Sequence, residues 1–384
     1  MVTGTAKLVI DLGNSSTRVT TQFGNTQKGN PRTKTIEVSN AFAQMSEKQF
    51  EQYKAEGVYT EENSRVFVTS GGDIYCNGEL CDMEFEKERE RPTAMVAKFE
   101  SLITKWSVMN AFGLGYTAIA EFANTDIASI DVDWEVTVLL PPDDVERGSK
   151  VMIDLIKGID KIDFKMPEIA KKIKVNIVKV FPEGFAAFIA VVFEGVNKLR
   201  ESYKYLVDPH ATVLISDIGA GTTDFLLIKG GKVVYSSRFT RRTGGNNVHQ
   251  TLRRDLRKQG IVLKDTAARE ACEQGFVYNG AEKMDVIDMI ASAKREVSRD
   301  LIDALIEFFE STMVEVQSIN YILPIGGGAV ESDVEGIHPI SQYMVEYLQS
   351  ISPNLKSIEL PVSEDGTKMD ARLANVIGAS ILAG

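Results

Sequence analysis

The stretch of sequence that decides the fold is LVIDLGNSSTRV, residues 8–19, together with its counterpart LISDIGAGTTDF, residues 214–225. Each stretch is an apolar run ending in Asp-x-Gly, followed by small hydroxyl or amide residues and then by the start of a second apolar run. Such a pattern around glycine predicts two β-strands joined by a tight turn. The chain therefore carries two copies of one strand–turn–strand pattern, one in each half.

The chemistry of these two turns points to a phosphate group. Glycine lets the backbone turn with its N–H groups directed at an anion, and the hydroxyl groups add donors. Asp11 and Asp217 end the first strand of each pattern, and a carboxylate is a ligand suited to Mg²⁺ or to its water shell. The alternative is an ordinary hairpin corner whose Asp caps its own turn. Because the pattern occurs twice, we favour a nucleotide held between duplicated domains.

The bulk composition limits the classes of function. The chain has 384 residues, of which 43% are hydrophobic and 25% charged, as expected for two globular domains. A net charge of −11 argues against a protein that binds nucleic acid over a broad face. Basic clusters do occur within 238–242 and 253–258, and we interpret them as solvated faces or as contacts near phosphates rather than as a DNA site.

The cysteines and the apolar segments indicate the compartment. The three cysteines, Cys76, Cys81 and Cys272, fit a reducing environment without disulfides. The first strand begins almost at once, which leaves no room for a signal peptide. The most apolar segment, Phe185–Val192, is far shorter than the roughly 20 residues of a membrane-spanning helix. We expect a cytoplasmic protein that does not associate with membranes.

Strand and helix signals alternate along both halves and predict an α/β fold with a mixed β-sheet in each half. We place a first domain at residues 1–207, with an inserted subdomain at about 24–90, and a second domain at residues 208–370. A C-terminal helix in 371–384 is expected to return to the first domain. The main predicted strands lie in 7–23, 65–69, 73–76, 132–140, 175–181, 212–217, 224–228, 233–236 and 318–324, and the main predicted helices in 93–112, 185–199, 247–258, 286–309 and 371–382.

Other polar and glycine-rich positions are candidates for the same site. Glu183 follows a strand and precedes a helix, where a carboxylate can activate a water molecule or only stabilise the helix start. Gly244-Gly245 opens a helix whose N-terminus suits a phosphate or ribose. Gly326-Gly327-Gly328 permits close approach to a base, although it is also typical of a flexible turn. Lys294 and Ser298 either flank a base or belong to a solvated helix face.

Taken in order, these segments resemble the actin, heat-shock-chaperone and sugar-kinase ATPase superfamily. The two phosphate motifs are 10–17 and 216–224, the adenosine motif is 325–329, and the two connecting motifs are 182–183 with its helix and 373–382. Within the superfamily the chain is most similar to the ParM-type bacterial actins that segregate plasmids, and the segments that carry this resemblance are 75–80, 132–142, 171–183, 291–305 and 325–329. The resemblance implies an actin-like ATPase fold with two lobes, each a mixed β-sheet flanked by helices, around a nucleotide cleft.

The resemblance also implies roles for particular residues. Glu183 is expected to activate the attacking water, and Asp11 and Asp217 to serve the catalytic step and to hold Mg²⁺ through water. The implied cofactors are ATP, or GTP, and Mg²⁺. The residues expected to bind the nucleotide are Gly13, Asn14, Ser15, Ser16, Gly219, Gly221, Thr222, Thr223, Gly244, Gly245, Lys294, Ser298, Gly326, Gly327 and Gly328.

By the same resemblance, the chain is expected to be a filament-forming ATPase that polymerises with Mg-ATP. It would drive plasmid DNA segregation through a DNA-binding adaptor protein at the filament end, without binding nucleic acid directly. The alternatives are a non-plasmid bacterial cytoskeletal actin and a small-molecule kinase of the same superfamily. A chaperone ATPase would need a long substrate-binding region after the final predicted helix, whereas the sequence ends at Gly384.

Overall fold

The computed structural model describes residues 1–26, 31–57, 59–60, 64–85, 88–92, 96–363 and 365–384. The strands, in chain order, are β1 (Val2–Leu12), β2 (Ser16–Asn25), β3 (Pro31–Ser39), β4 (Phe42–Met45), β5 (Ser64–Val68), β6 (Ile74–Gly78), β7 (Ile130–Leu140), β8 (Lys161–Met166), β9 (Glu168–Lys172), β10 (Val175–Pro182), β11 (Phe193–Gly195), β12 (Lys198–Leu199), β13 (Thr212–Ile218), β14 (Thr223–Lys229), β15 (Lys232–Val233), β16 (Phe239–Arg241), β17 (Phe276–Asn279), β18 (Glu282–Asp285), β19 (Tyr321–Ile325) and β20 (Lys356–Ser357). The α-helices are α1 (Glu47–Glu56), α2 (Glu79–Glu84), α3 (Leu102–Ala123), α4 (Val145–Lys157), α5 (Phe185–Val192), α6 (Gly245–Lys258), α7 (Asp265–Gln274), α8 (Ile287–Thr312), α9 (Ile340–Ile351) and α10 (Ala374–Ala383).

The residue contacts divide the chain into two compact units. Unit 1 comprises Met1–Pro182 and Ala379–Gly384, and unit 2 comprises Glu183–Gly378. The last residues of the chain thus group with the first unit. The boundaries expected from the sequence lie after residues 207 and 370, and they stay a prediction about how the chain divides into domains.

Unit 1 is built on a five-stranded sheet in the order β10-β7-β1-β2-β3. The strand–turn–strand pattern of residues 8–19 forms its centre, because β1 and β2 pair antiparallel with Asp11 opposite Arg18. The strands β7 and β10 extend the sheet in parallel. Apolar side chains of β1, β7 and the long helix α3 bury one another in a single core, which includes Trp134 and Phe112.

Unit 1 also contains a smaller five-stranded sheet in the order β4-β6-β5-β8-β9. Three of these strands come from the region predicted as an insert, whereas β8 and β9 come from residues 161–172. The alternation of buried Ile162, Phe164 and Met166 along β8 explains why this segment pairs with β5 and β9. The insert and a distant hairpin therefore build the smaller sheet together.

Unit 2 repeats the strand order of the main sheet of unit 1. Its path is β15-β14-β13-β19-β20, and β16 also pairs with β14. The second strand–turn–strand pattern forms the antiparallel pair β13–β14, and β19 and β20 continue the sheet in parallel. Both units thus place an antiparallel hairpin beside two parallel strands, so the predicted mixed sheet in each half is confirmed.

Helices α6, α8 and α9 bury their apolar sides on the unit 2 core. The apolar residues Val297, Leu301 and Leu305 recur at helical spacing along α8, and all three are buried, as that spacing predicts. The small hairpin β17–β18 and helix α7 follow α6 and share a second, smaller core with it. Among the described residues, no helix is long and apolar enough to cross a membrane.

Several predicted element boundaries are wrong. The helix predicted over 185–199 ends at Val192, because Phe193 adopts an extended backbone and begins a short hairpin. The helix predicted over 93–112 begins only at Leu102 and continues to Ala123, while residues 93–95 lie outside the described residues. The strand predicted over 233–236 ends at Val233.

Candidate functional site

The first turn follows β1 and carries Asp11 at the end of the strand. Asp11 is buried, with 4% of its surface exposed. Arg18, its partner in the β1–β2 register, approaches it with 3.5 Å between Nη1 and Oδ2, and its Nη2 lies 3.1 Å from Oε1 of Glu37 on β3. Burial by itself lowers the pKa of Arg18, but the two carboxylates outweigh it and raise the pKa. Asp11 therefore has a permanently charged neighbour.

Asn40 holds the backbone of this turn. Its side-chain Nδ2 donates to the Gly13 carbonyl at 2.6 Å, and its main-chain N–H donates to the Ser15 carbonyl at 2.9 Å. Asn40 in turn accepts a hydrogen bond from the hydroxyl of Ser107 on α3. A Cβ at position 13 would lie 2.5 Å from the Ser16 carbonyl oxygen, so the turn requires glycine there. Asn40 was not among the residues predicted for the site, because its partners at Gly13 and Ser15 lie far from it in sequence.

The polar side chains of the first turn differ in whether they are free to contact a ligand or are already buried or hydrogen-bonded within the protein. Ser16 donates to Glu37 at 2.5 Å, so this predicted phosphate ligand is engaged within the protein. Thr17 Oγ1 is buried and has no hydrogen-bond partner among the described residues. Asn14 and Ser15 are part-exposed and form the tip of the turn.

The second turn is held by the start of α6 rather than by a side chain. The Gly219 N–H donates to the Thr222 carbonyl at 2.8 Å, and the Gly245 N–H donates to the Gly219 carbonyl at 2.9 Å. A Cβ at Gly244 would lie 2.4 Å from that same carbonyl oxygen. The structure thus brings the predicted residues of 219–223 and 244–245 together. The N–H of Gly245 is used within the protein and is not directed at a ligand.

The two threonines of the second turn have different positions. The hydroxyl of Thr223, which is fully buried, donates to the Thr243 carbonyl at 2.8 Å. It therefore ties β14 to the segment that leads into α6. Thr222 and Gly221 are part-exposed, which leaves them at the surface of the turn. Thr222 is accordingly the better candidate for a direct phosphate contact.

Asp217 ends β13 with 7% of its surface exposed. Its Oδ2 accepts a hydrogen bond from Asn375 Nδ2 at 2.6 Å, and Asn375 Oδ1 accepts the Gly184 N–H at 2.8 Å. Glu183, next to Gly184, is also buried. Within unit 2, Asn375 therefore connects the backbone at Gly184 to Asp217. Gly184 is next to Glu183, the residue predicted to activate water, and Asp217 is the carboxylate predicted for the metal site.

The triple glycine follows β19, which lies beside β13. Gly326 has φ +79°, and a Cβ there would lie 2.6 Å from both Asp217 Oδ1 and the Ile218 carbonyl oxygen. A Cβ at Gly328 would lie 2.3 Å from Ile218 Cγ2. Gly327 is exposed, and no described atom lies within 4 Å of the position that its Cβ would take. The glycines at 326 and 328 are thus required for close packing on the second turn, whereas Gly327 faces open space.

Lys294 and Ser298 lie one helical turn apart on α8. Ser298 is buried, and its hydroxyl oxygen lies 2.7 Å from the Lys294 carbonyl oxygen and 3.2 Å from the Ile340 carbonyl oxygen. The interpretation of Ser298 as part of a solvated face is therefore wrong. Lys294 is half-buried, and burial lowers its pKa although Cys272 acts in the opposite direction. Nearby His249 has a pKa lowered to about 4, chiefly by burial.

The donor set of each unit fits a phosphate-bound Mg²⁺ better than a metal held by protein alone. No group of three or more His, Cys, Asp or Glu side chains that could hold a metal occurs within the described ranges. Asp11 in unit 1 and Asp217 in unit 2 each end a strand before a glycine turn, and a second carboxylate, Asp224, lies opposite Asp217 in the β13–β14 register. Mg²⁺ commonly keeps several waters and takes one or two carboxylates together with phosphate oxygens. Asp11 and Asp217, each taken within its own unit, are the candidates for contact with the water shell of such an ion.

Comparisons with known proteins agree with the fold described above. A family model described as "Archaeal actin homologue MreB-like, C-terminal" matches residues 215–333, which span the second turn and the triple glycine. No curated protein sequence matches the chain.

Solved structures of low sequence identity match nearly the whole chain. A 15-stranded ParM filament from Clostridium botulinum has a TM-score of 0.67 at 16% identity, and the match covers 99% of each chain. The archaeal actin homologue Ta0583 in complex with ADP has a TM-score of 0.64 at 16% identity, with 100% of this chain and 99% of the other covered. Bacillus thuringiensis ParM with AMPPNP has a TM-score of 0.62 at 14% identity, with 99% and 98% covered.

These likenesses define the class of fold. The chain has the actin-like fold, and the fold predicted from its motifs is confirmed. The resemblance to ParM-type actins is borne out at the level of structure, because ParM structures are among the similar ones.

Proposed function

We propose that the protein is a filament-forming actin-like ATPase that binds Mg-ATP, or Mg-GTP, and drives plasmid DNA segregation. The observation that carries the proposal is the duplication: both units set a buried Asp and a glycine turn at the same place in a sheet of the same strand order. Similar structures support the nucleotide and the polymer, since they include a ParM filament, an archaeal actin homologue in complex with ADP and a ParM with AMPPNP.

The contacts proposed for the phosphates, Mg²⁺ and adenosine follow from the residues of each unit. One nucleotide contacts both turns, with part-exposed Asn14 and Ser15 from the first turn and Thr222 from the second directed to its phosphates. Mg²⁺, when bound, would neutralise charge on the phosphates, and Asp11 and Asp217 would orient its waters. Gly327 lies at the surface where an adenosine would approach.

Glu183 is proposed to activate the attacking water. A carboxylate that accepts a proton from water, or orients the water, accelerates γ-phosphate hydrolysis. Its position supports the role, because Glu183 is buried and directly precedes Gly184, whose φ of +73° opens helix α5. The neighbouring Gly184 N–H is fixed by Asn375 at 2.8 Å, which limits movement of the backbone beside the carboxylate.

Self-assembly is proposed to occur head to tail in the cytoplasm. A heterologous contact that does not close produces an open filament. Removal of the γ-phosphate by hydrolysis would change the contacts of the two turns and so bias the assembled state. A DNA-binding adaptor protein at the filament end would carry the plasmid, since the net charge of −11 disfavours direct binding of nucleic acid by this chain.

A non-plasmid cytoskeletal actin is the second candidate, and one observation favours it. The family model that matches residues 215–333 is described as an archaeal MreB-like actin homologue, and Ta0583 is an archaeal actin homologue. Deletion of the gene separates the two candidates. Loss of a plasmid from dividing cells would support segregation, whereas a change of cell shape with normal plasmid retention would support the second candidate.

Assembly is tested by sedimentation of the purified protein with ATP and Mg²⁺, with electron microscopy of the pellet. We expect filaments above a critical concentration, and none with EDTA in place of Mg²⁺. Nucleotide hydrolysis without assembly at any concentration would contradict the filament proposal and support a small-molecule kinase. A parallel titration with GTP decides which nucleotide the protein prefers.

A further inference from the structure

Asn375 makes two hydrogen bonds through its side-chain amide, and the proposed function assigns it no role at Asp217. It is the second residue of α10 and has 8% of its surface exposed. Its Oδ1 accepts the Gly184 N–H at 2.8 Å, and its Nδ2 donates to Asp217 Oδ2 at 2.6 Å. Both partners lie within unit 2, 191 and 158 residues away in sequence.

The side-chain amide satisfies both partners at once, because it carries an acceptor and a donor side by side. A backbone N–H needs an acceptor, and a carboxylate needs a donor, so the two partners fix which way the Asn375 amide is turned. An Asp at this position would accept the Gly184 N–H but would place a carboxylate against Asp217. An Ala would leave the buried Gly184 N–H and the carboxylate oxygen without this partner.

Close packing holds the amide in place. At Gly378, one turn further along α10, a Cβ would lie 1.6 Å from the Ala186 carbonyl oxygen and 2.9 Å from the Ala190 amide nitrogen. The helix α10 therefore lies directly against the backbone of α5, which begins at Phe185. Because no side chain separates the two helices there, the distance from Asn375 to Gly184 is fixed by backbone contact.

Asp217 is confined on its other side as well. A Cβ at Gly326 would lie 2.6 Å from Asp217 Oδ1, and the Gly326 N–H donates to the Ala371 carbonyl at 3.1 Å. One carboxylate oxygen thus faces Asn375, while the other lies close to the backbone of the triple glycine. This arrangement leaves the carboxylate little freedom to rotate.

We propose that Asn375 is a positioning residue that sets the orientation of Asp217 toward a metal–nucleotide and couples it to the backbone beside Glu183. The inference rests on the proposed function, because it assigns Asn375 to the same site. A purely structural role would be limited to anchoring the start of α10. A positioning role predicts that replacing Asn375 changes the Mg²⁺ dependence of nucleotide binding by the folded protein. A purely structural role predicts no such change.

The experiment compares Asn375→Ala and Asn375→Asp with wild type. Asn320→Ala is the matched control, since Asn320 Oδ1 accepts the Thr212 N–H at 2.8 Å at the opposite end of β13. The readouts are thermal unfolding, nucleotide affinity by calorimetry at a series of Mg²⁺ concentrations, and the pH profile of hydrolysis.

For Asn375→Ala, we expect the Mg²⁺ concentration that gives half-maximal nucleotide affinity to rise about 10-fold, the effect of about one lost charge-assisted hydrogen bond. Asn375→Asp keeps the shape of the side chain and the acceptor for Gly184. For this variant we expect the pH of half-maximal hydrolysis to rise by about one unit, because two adjacent carboxylates resist ionising together. Asn320→Ala should keep the wild-type Mg²⁺ dependence and pH profile.

Two outcomes overturn the inference while leaving the proposed function intact. One is wild-type Mg²⁺ dependence and pH profile in both Asn375 variants while wild type hydrolyses nucleotide. The other is equal changes in Asn375→Ala and Asn320→Ala, which would mean a general loss of stability. If wild type takes up no nucleotide at any Mg²⁺ concentration, the proposed function fails and the inference fails with it. If Asn375→Ala does not fold, the isosteric Asn375→Asp decides.

Discussion

The two glycine turns share a sequence pattern but are supported in different ways. In unit 1 the turn is held from outside by the side chain of Asn40, and Asp11 is paired with Arg18. In unit 2 the turn is held by the backbone at the start of α6, and Asp217 accepts a hydrogen bond from the neutral amide of Asn375. Asp11 therefore has a cationic partner in Arg18, whereas Asp217 has a neutral donor in Asn375 and lies opposite Asp224 in the strand register.

The same sequence pattern therefore does not give the two aspartates the same chemical environment. A cation beside Asp11 would compete with Mg²⁺ for the carboxylate, whereas an amide beside Asp217 would orient the carboxylate without cancelling its charge. Glu183, Asn375 and the triple glycine all gather near Asp217 within unit 2. We therefore expect unit 2 to contribute more to catalysis and unit 1 more to anchoring of the phosphates.

The largest expected effect concerns Glu183. Replacing Glu183 with Gln keeps its size but removes the group that accepts a proton, so the rate of hydrolysis should fall by roughly 10²–10⁴. The affinity for nucleotide should change by less than threefold, on the order of 0.6 kcal/mol or below. Single-turnover kinetics and calorimetry measure the two effects.

The control for this variant is Glu168→Gln, which alters an exposed glutamate on β9 in unit 1. Its hydrolysis rate should equal that of wild type. An unchanged rate in Glu183→Gln would remove Glu183 from the mechanism and with it the expected dominance of unit 2 in catalysis.

The second prediction uses the adjacent glycines at the start of α6. In Gly244→Ala the added Cβ would lie 2.4 Å from the Gly219 carbonyl oxygen, whereas in Gly245→Ala the nearest atom is 3.8 Å away. Overpacking against backbone should cost Gly244→Ala about 2–3 kcal/mol of unfolding free energy and weaken nucleotide binding. Gly245→Ala should be near neutral. Equal losses in both variants, measured by chemical denaturation, would show that α6 does not support the turn by close contact.

The third prediction concerns the support of the first turn. Asn40→Ala removes the donor to Gly13 in the part-buried turn, so the unfolding free energy should fall by about 1–3 kcal/mol. Asn176→Ala, which alters an exposed asparagine of the same unit, is the matched control and should change the unfolding free energy by less than about 0.5 kcal/mol. An Asn40→Ala protein as stable as this control would mean that the first turn keeps its shape without outside support.

The smallest expected effect depends on pH and is confined to unit 2, because all three histidines of the sequence lie there. Burial lowers the pKa of His249 from 6.5 to about 4, so the unfolded chain binds more protons between these pH values. Stability should therefore fall as the pH drops below 6.5, by about 1 kcal/mol between pH 7 and pH 5.5.

This pH effect is checked with His249→Gln, which should lose that part of the slope. Denaturant midpoints at a series of pH values measure the slopes. An identical slope in wild type and His249→Gln would show that His249 titrates alike in the folded and unfolded chain.

Much of the fold could be predicted from local patterns. The hairpins β1–β2 and β13–β14 were evident because apolar runs flank a glycine turn, and α8 was evident because its apolar residues recur at helical spacing. The helix predicted over 185–199 extended too far because the apolar run continues through Val192 into Phe193 without a glycine or proline to mark its end.

The supports of the site could not be predicted in the same way. Asn40 and Asn375 are single polar residues whose partners lie 27 and 158 residues away in sequence, and only the folded chain brings them together. Ser298 belongs to the same group, since its hydroxyl meets the Ile340 carbonyl from a helix that the sequence analysis did not identify. The local spacing of apolar residues does not predict such long-range hydrogen bonds.

The central claim is that one Mg-nucleotide depends on both turns. The direct measurement is calorimetric titration of Mg-ATP into wild type, Asp11→Ala and Asp217→Ala, each checked for folding. We expect one nucleotide per wild-type chain, a loss of affinity of at least about 10-fold in both variants, and a smaller dependence on Mg²⁺ in Asp217→Ala than in wild type. Two independent sites per chain, or wild-type affinity in either variant, would contradict the claim.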